Sequence, residues 1–222
     1  MIKINNRLKT LGNIILSGKS QGIIDVGCDH ALLDIYLLEN NSSLNLVASD
    51  LREGPLIKAK ENIDKYSFSN KIKIKCSYGI AELEDYIDTV VISGMGTKTI
   101  IEILENGKKY LEKINRIVLS SNNDYYELRK YMMNNNYYIN KEQIVYSDKK
   151  YYIIIDFIKG QKRYSEKELY FGPYLLKHKD NIFYEYYGNI RNKKINIINH
   201  MNKECKNIDI IQEEVKLLTS EL

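Results

Sequence analysis

Short apolar segments alternate with amphipathic segments over the first two thirds of the chain. Apolar or β-branched runs predict strands at 22–27, 44–49, 71–76, 88–93 and 116–121. Apolar residues at helical spacing predict helices at 5–17, 30–39, 53–66, 97–106 and 125–135. This regular alternation predicts a parallel sheet covered by helices on both faces.

The pattern changes in the last third of the chain. Runs at 137–146 and 151–158 flank a short polar turn, and they predict an antiparallel hairpin that closes the sheet. From about residue 164 the strand signals disappear. We therefore predict an α/β domain over residues 1–163 and a helical extension over residues 164–222.

The extension carries apolar residues at three- and four-residue steps, with Lys194 as the one polar member of the stripe. The stripe consists of Phe183, Tyr187, Ile190, Ile197, Met201, Cys205, Ile208, Ile211, Val215, Leu218 and Leu222. A narrow stripe of this kind predicts one long amphipathic helix or a hairpin of two helices, with a coiled-coil-like contact.

Composition narrows the class of protein. The formal net charge is +4, and basic residues concentrate before Asp25 and between Lys159 and Lys194. Such patches suit a polyanionic partner, although solvated lysine faces explain them equally well. The three cysteines are far apart and predict neither a disulfide framework nor a metal site. The chain shows no signal peptide and no apolar run long enough for a membrane span, so we expect a cytoplasmic protein.

Two acidic signals follow the first two predicted strands. The first strand runs into Asp25-Val26-Gly27-Cys28-Asp29-His30, and the second ends at Asp50. A glycine at a strand-to-helix turn lets a ligand approach the backbone, and an acid after the second strand typically binds a ribose. The dinucleotide fingerprint lacks its third glycine, so S-adenosylmethionine, which has no pyrophosphate, fits better. Its ammonium group suits an acid at this turn.

The fourth strand runs into Gly94-Met95-Gly96. In open α/β sheets, ligands collect at the carboxyl ends of the strands, so this turn is a candidate methyl-transfer site with room for a flat base. An ordinary tight turn is the alternative. His30 either contacts substrate or caps its helix, and Asn122 either holds a base edge or forms a turn. Arg129, on the following helix, is a candidate phosphate ligand.

These motifs together resemble the bacterial tRNA (adenine(22)-N(1))-methyltransferases, the TrmK-like family. The resemblance rests on the segments 25–30, Ser49-Asp50 with Gly54-Pro55-Leu56, Gly94-Met95-Gly96, Leu128-Arg129 and Phe171-Gly172-Pro173, in the family order. It implies a class I Rossmann-like methyltransferase sheet, S-adenosylmethionine as methyl donor and N1 of a D-arm adenine in tRNA as acceptor. It also implies that the helical extension binds tRNA.

The resemblance assigns Gly27, Asp29, Asp50, Gly94 and Met95, and the strand-end motifs supply the other candidates for the site. The cofactor-binding residues would be Asp25, Gly27, Cys28, Asp29, Asp50, Leu51, Tyr78, Gly79, Ser93 and Gly94, and the catalytic residues Gly94, Met95, Asn122 and His30. Three positions depart from the family pattern: Tyr78 replaces an acid, Thr97 replaces a glycine, and Ser120-Ser121-Asn122 replaces Gln-Pro-Asn.

Two other functions remain open on the sequence alone. One is methylation of another RNA or of a protein, and the other is a non-catalytic RNA-binding module of the same fold. We expect tRNA as the partner of a monomer or weak dimer, with no membrane and no metal.

Overall fold

A computed structural model describes residues 2–80, 83–201 and 208–222 of the chain. The chain forms two compact units, Met1–Leu176 and Lys177–Leu222. In the first unit the described strands are β1 (Gly22–Val26), β2 (Asn45–Asp50), β3 (Ile72–Cys76), β4 (Thr89–Ser93), β5 (Arg116–Ser120), β6 (Tyr137–Ser147) and β7 (Lys150–Lys159). The helices are α1 (Asn6–Leu16), α2 (Leu32–Asn40), α3 (Glu53–Lys65), α4 (Thr97–Asn106), α5 (Lys108–Leu111), α6 (Tyr125–Asn134), α7 (Glu166–Phe171) and α8 (Pro173–Lys177), and then α9 (Asn181–His200) and α10 (Ile208–Glu221).

The strands form one sheet in the order β3-β2-β1-β4-β5-β7-β6. The first five strands run parallel, and β7 pairs antiparallel with both β5 and β6. The predicted α/β fold with a closing hairpin is therefore confirmed, and each predicted strand lies within two residues of an observed one. Because the chain moves to opposite sides after β1 and after β4, the carboxyl ends of these two strands border the switch point where α/β sheets bind ligands.

The strands at the centre of the sheet are almost entirely buried, as their apolar composition predicts. Every residue of β1 and of β5 is buried, and α2 is buried on nearly all faces. The helix predicted from residue 30 begins instead at Leu32, because Ala31 adopts a left-handed conformation with φ of 55°. That conformation ends the turn after β1 before the helix can start.

A buried ion pair joins β5 and β7 to α1. The Arg116 Nε donates to Asp156 Oδ1 at 2.7 Å, and both side chains are almost fully buried. The two terminal nitrogens of Arg116 donate to the carbonyls of Ile14 and Ile15 at 2.6 and 2.7 Å. These carbonyls belong to the last turn of α1, where the Ser17 hydroxyl also donates to Ile14 and the Gly18 N–H also donates to Ile15. Arg116 therefore fixes the carboxyl end of α1 against the sheet.

A second buried pair holds the segment after the hairpin. The Arg129 Nε donates to Glu142 Oε1 at 2.7 Å, and Arg129 Nη1 donates to the carbonyls of Leu169 and Tyr170. Glu142 also accepts from the Tyr174 backbone N–H at 3.1 Å. These bonds attach α7 and the start of α8 to the sheet. The first compact unit accordingly includes α7 and ends at Leu176.

Arg129 is thus fully buried, which removes it from the candidate phosphate ligands. A guanidinium with no exposed surface cannot reach an RNA backbone. Its positive charge instead balances the buried carboxylate of Glu142.

The second unit consists of α9 and α10, which contact each other as a helical pair. Of the two alternatives for the extension, the hairpin of two helices is therefore the observed one. Within it, Phe183, Tyr187 and Leu218 are buried, while Ile197 is half exposed. Lys194, the polar member of the stripe, pairs with Glu214. Cys205 lies outside the described residues. None of the described helices is both long and apolar enough to cross a membrane.

We predict that Arg116→Met destabilises the first unit by about 3–5 kcal/mol, because it leaves Asp156 buried without its cation and removes the charged donor from two carbonyls of α1. The free energy of unfolding in urea measures this loss. The matched control is Lys113→Met, which removes a cation from an exposed pair with Asp85 and should cost less than about 1 kcal/mol. Equal losses in the two variants would contradict the role of Arg116.

Candidate active site

A cavity of about 460 Å³ opens at the carboxyl ends of β1, β2 and β4 and beside the loop after β3. This volume lies within the usual range for small-molecule sites. Nine of the residues that the sequence assigns to the site line it: Gly27, Asp29, Asp50, Leu51, Tyr78, Gly79, Ser93, Gly94 and Met95. These residues come from four separate segments of the chain, which meet where the parallel strands end.

The remaining candidates lie beside this cavity. Asp25, Cys28 and His30 line an adjoining cavity of about 70 Å³, together with Gly27, Asp29 and Ser93. Asn122 lines neither cavity. Its side chain instead contacts the turn after β4, as described below.

Gly27 forms the turn after β1 under two constraints. Its φ of 77° is a conformation that favours glycine, and a Cβ at this position would lie 2.3 Å from the terminal methyl of Met95. The backbone N–H groups of Gly27 and Cys28 both donate to the carbonyl of Ser49 on β2, at 2.7 and 2.9 Å. The turn after β1 therefore contacts Met95 in the turn after β4 and is hydrogen-bonded to β2.

Asp29 has a strained backbone and an accessible carboxylate. Its φ is 52°, in the left-handed region, while its side chain is 65% exposed. His30 Nε2 lies 3.7 Å from Asp29 Oδ1, and the Asn62 side chain donates to the His30 carbonyl. Strain of this kind persists where surrounding contacts hold it, often at binding sites. Asp29 is therefore the accessible acid of this turn.

Asp50 is the acid at the end of β2. Its side chain is almost fully buried, and Oδ1 accepts from the backbone N–H of Arg52 at 2.9 Å and from Arg52 Nε at 3.4 Å. These bonds fix the carboxylate at the cavity wall and leave Oδ2 available. Leu51, which follows it, is exposed and adds an apolar surface.

Tyr78, which replaces the acid typical of the resembled family, is anchored by its hydroxyl. The hydroxyl donates to the carboxylate of Glu102 on α4, which raises the pKa of Tyr78. The ring therefore bridges the loop after β3 and α4 along the cavity wall. Gly79 follows with φ of 65°, and a Cβ there would meet Ile103 at 2.9 Å.

Two hydrogen bonds from Asn122 hold the turn after β4. The Asn122 Nδ2 donates to the Gly94 carbonyl at 2.7 Å, and its backbone N–H donates to the Met95 carbonyl at 2.9 Å. The amide orientation follows from the first bond. Oδ1 is then the remaining acceptor of the Asn122 side chain, and the residue is exposed. Thr97 is buried here and bonds Ser121, which explains a hydroxyl in place of the family glycine.

Arg7 also belongs to the site, although no pattern in the sequence indicated it as a site residue. Its guanidinium lines both cavities and lies 4.9 Å above the ring of Tyr152 on β7. A Cβ built on Gly94 would lie 3.3 Å from Arg7 Nη1. One signal in the sequence could have indicated it. Arg7 lies in the first turn of α1, which has no acidic residue, although the helix dipole disfavours a cation there.

Asp25 shares a buried pocket with Asp34 of α2, another residue that the sequence did not reveal. Burial and the neighbouring Asp34 carboxyl raise the pKa of Asp25, and Arg7 partly offsets this rise. Burial also raises the pKa of Asp34 to about 7. One proton shared between the two carboxyls accounts for both shifts. Asp25 is accordingly less suited than Asp29 to receive an ammonium group.

The remaining titratable group of the turn is neutral. Burial raises the pKa of the Cys28 thiol, so this residue is a packing group and not a nucleophile. Among the described residues, no cluster of histidine, cysteine or acidic side chains has the arrangement of a metal site.

The site has the features that S-adenosylmethionine requires. Two acids, Asp29 and Asp50, stand at separate strand ends, and a cation, Arg7, lies between the β1 and β4 turns. Gly27 leaves the backbone of the turn after β1 without a side chain of its own, and it lines the cavity. Together with a parallel sheet closed by an antiparallel hairpin, this site defines a Rossmann-like fold of the class I methyltransferase type.

The family follows from comparison with known proteins. Residues 23–220 match the family model of TrmK, tRNA (adenine(22)-N(1))-methyltransferase. The chain therefore belongs to the TrmK family, and the predicted resemblance is confirmed.

Individual relatives agree with this assignment. The tRNA (adenine(22)-N(1))-methyltransferase of Bacillus subtilis is 27% identical over 189 residues, which cover 82% of this chain and 79% of the relative. The solved structure of Mycoplasma capricolum TrmK with S-adenosylhomocysteine is 30% identical, with a TM-score of 0.86 and coverage of 98% of this chain and 96% of the other. A Streptococcus pneumoniae structure with S-adenosyl-L-methionine is 27% identical, with a TM-score of 0.89 and full coverage of both chains.

We predict that stability falls as the pH rises from about 4 to 7, because Asp34 is protonated in the folded state and ionised in the unfolded state over this range. A folded state that binds more protons than the unfolded state loses stability with rising pH. Asp34→Asn should make the free energy of unfolding less dependent on pH. The loss of stability between about pH 4 and 7 should shrink by up to about 4 kcal/mol. Urea unfolding at several pH values measures it. The control Glu61→Gln, at an exposed position, should retain the wild-type slope.

Proposed function

We propose that this protein transfers the methyl group of S-adenosylmethionine to N1 of adenine 22 in the D-arm of tRNA. The observation that carries the proposal is the single cavity that joins Asp29, Asp50 and the Gly94-Met95 turn at the switch point of the sheet. A ribose acceptor, an ammonium acceptor and a glycine-lined turn are the groups that this reaction needs. Membership of the TrmK family supports the same acceptor.

Each cofactor role follows from one feature of the cavity. The Asp50 carboxylate, fixed by Arg52, accepts hydrogen bonds from ribose hydroxyls. The exposed Asp29 carboxylate receives the ammonium group, and Gly27 allows close approach to the backbone. The ring of Tyr78 and the side chain of Leu51 enclose the adenine of the cofactor by apolar contact. Bound S-adenosylmethionine supplies an electrophilic sulfonium methyl group.

The acceptor chemistry requires little from the protein beyond positioning. The N1 lone pair of adenine is unprotonated near neutral pH and is itself the nucleophile. Since no proton leaves in the transfer step, no general base is needed, and orientation and local fields supply the rate enhancement. Because N1 lies on the Watson–Crick edge, the target base must be presented unpaired.

Asn122 orients the target adenine in this proposal. Its Nδ2 is already engaged by the Gly94 carbonyl, so Oδ1 is the group presented to a base. An acceptor at this position suits the exocyclic N6 amino donor of adenine and opposes the O6 acceptor of guanine. Gly94 and Met95 then border the transferring methyl group. His30, at the rim of the adjoining cavity, contacts the substrate.

The helices after residue 164 supply the grip on tRNA in this proposal, mainly through α9 and α10. Arg191 and Lys193 add positive charge to α9, and Lys193 is exposed. Such side chains bind phosphates without regard to base sequence. We further propose that the protein acts in the cytoplasm, where its tRNA substrate is found, as a monomer or weak dimer.

We predict that Asp50→Ala lowers the affinity for S-adenosylmethionine about 10- to 100-fold, because it removes hydrogen bonds between a charged acceptor and the ribose. Isothermal titration calorimetry without RNA measures the affinity. Glu61→Ala, an exposed acid on α3, is the matched control and should bind like the wild type. Undiminished affinity in Asp50→Ala would exclude the ribose role.

We predict that the purified protein forms 1-methyladenosine at position 22 of an unmodified tRNA transcript, and that a transcript with guanine at this position stays unmethylated. Labelled S-adenosylmethionine and mass spectrometry of the nucleosides identify product and position. Methylation at another nucleotide or of a protein would favour the alternative acceptors. Cofactor binding without any transfer would favour a non-catalytic RNA-binding module.

A further inference from the structure

We propose that Arg7 binds the carboxylate of the methionine part of S-adenosylmethionine, opposite Asp29, which receives the ammonium group. The inference rests on the proposed use of this cofactor and adds a residue from outside the strand-end motifs. A zwitterion needs one anionic and one cationic partner a short distance apart. Arg7 and Asp29 both line the two adjoining cavities at the turn after β1.

The donors of Arg7 are available. Among the described residues, its guanidinium makes no hydrogen bond, and its recorded contacts are the ring of Tyr152 at 4.9 Å and the electrostatic effect on Asp25. A guanidinium presents five N–H donors in a planar fork that matches a carboxylate. Stacking on an aromatic ring leaves the edge of this fork free. The Tyr152 ring therefore orients Arg7, while the N–H donors of its guanidinium stay available to a ligand.

The position of Arg7 is fixed from both ends of α1. At the amino end, Asn5 caps the helix through Leu8 N–H and donates to Asp148 in the hairpin turn at 2.8 Å. At the carboxyl end, Arg116 holds the last carbonyls. A group held in place before the ligand arrives loses little freedom on binding. The scaffold thus preorganises Arg7 at the site.

The amino end of a helix usually favours a ligand carboxylate at such a turn. In this chain an acidic side chain already lies at that end of α2. The amino end of α2 carries Asp34 in its first turn, fully buried and beside Asp25. A second carboxylate would meet this acid as well as Asp25. The cation that remains on the other side of the turn is Arg7.

An RNA phosphate is the other anion that Arg7 could bind, and the observations favour the cofactor. Arg7 is half-buried and lines the 70 Å³ cavity at the β1 turn, next to Cys28 and Asp29. A bulky phosphodiester backbone suits an exposed surface better than this small recess. A carboxylate at the end of a flexible chain reaches Arg7 from the 460 Å³ cavity, which Arg7 also lines and Asp25 does not.

The test compares S-adenosylmethionine with its decarboxylated analogue, which differs by this one group. Calorimetry without RNA measures both affinities for the wild type, Arg7→Gln and Arg7→Lys. Arg7→Gln should weaken binding of S-adenosylmethionine about 10- to 100-fold and change binding of the analogue by less than about threefold. Arg7→Lys should show a smaller loss, because it retains the charge without the fork.

Lys9→Gln is the matched control, since it removes one exposed positive charge from the same helix, and it should leave both affinities unchanged. Thermal unfolding checks that each variant is folded, and Arg7→Lys provides the comparison if Arg7→Gln is not. Equal losses for both ligands would overturn the proposal and make Arg7 a structural support. Unchanged cofactor affinity with a raised KM for tRNA would also overturn it, in favour of an RNA phosphate.

Failure of this inference is distinguishable from failure of the proposed function. A wild-type protein that binds neither ligand would refute the use of S-adenosylmethionine itself. A wild type that binds both ligands equally well would refute the carboxylate subsite while leaving the cofactor assignment intact.

Discussion

The guanidinium of Arg116 connects α1 to the paired strands β5 and β7. It pairs with Asp156 across β5 and β7, and it donates to the final carbonyls of α1. A buried charge of this kind stabilises only when its whole partner set is complete, because each missing partner leaves a desolvated group. The packing is tight enough that a Cβ at Gly18 would lie 2.3 Å from Arg116 Nη1. The path of the chain from α1 into β1 is therefore set by one side chain on a distant strand.

This constraint determines the electrostatics of the site. Because α1 is held at both ends, its first-turn arginine lies over the turns after β1 and β4 while the acids stand at the ends of β1 and β2. The buried carboxyl pair Asp25–Asp34 carries one negative charge instead of two when it shares a proton, and Arg7 partly offsets that charge at Asp25. The cavity consequently presents separated positive and negative groups, a pattern that matches a ligand bearing both charges. Asn122 adds a neutral, directional acceptor beside the β4 turn.

The extent to which the sequence predicted this arrangement differs between its parts. Gly27, Asp50 and Gly94 were predictable because each follows an apolar strand directly, and parallel strands bring their carboxyl ends to one edge. The full burial of Arg129 and the location of Arg7 depend on contacts far apart in the chain, which no local pattern encodes. Asp34 was detectable in principle as a lone acid within an apolar helix. The start of α2 was misplaced because the left-handed Ala31 has an ordinary helix-forming side chain.

The backbone at Gly27 restricts how this protein can change over evolutionary time. A Cβ at position 27 would overlap the terminal methyl of Met95, which is the movable end of a flexible side chain, but the φ of 77° would remain. Shortening the residue at 95 would therefore relieve the overlap and leave the backbone strain. Glycine should accordingly persist at position 27 whatever side chain stands at position 95. Drift at the cofactor turn is in this sense limited by the conformation of its own backbone.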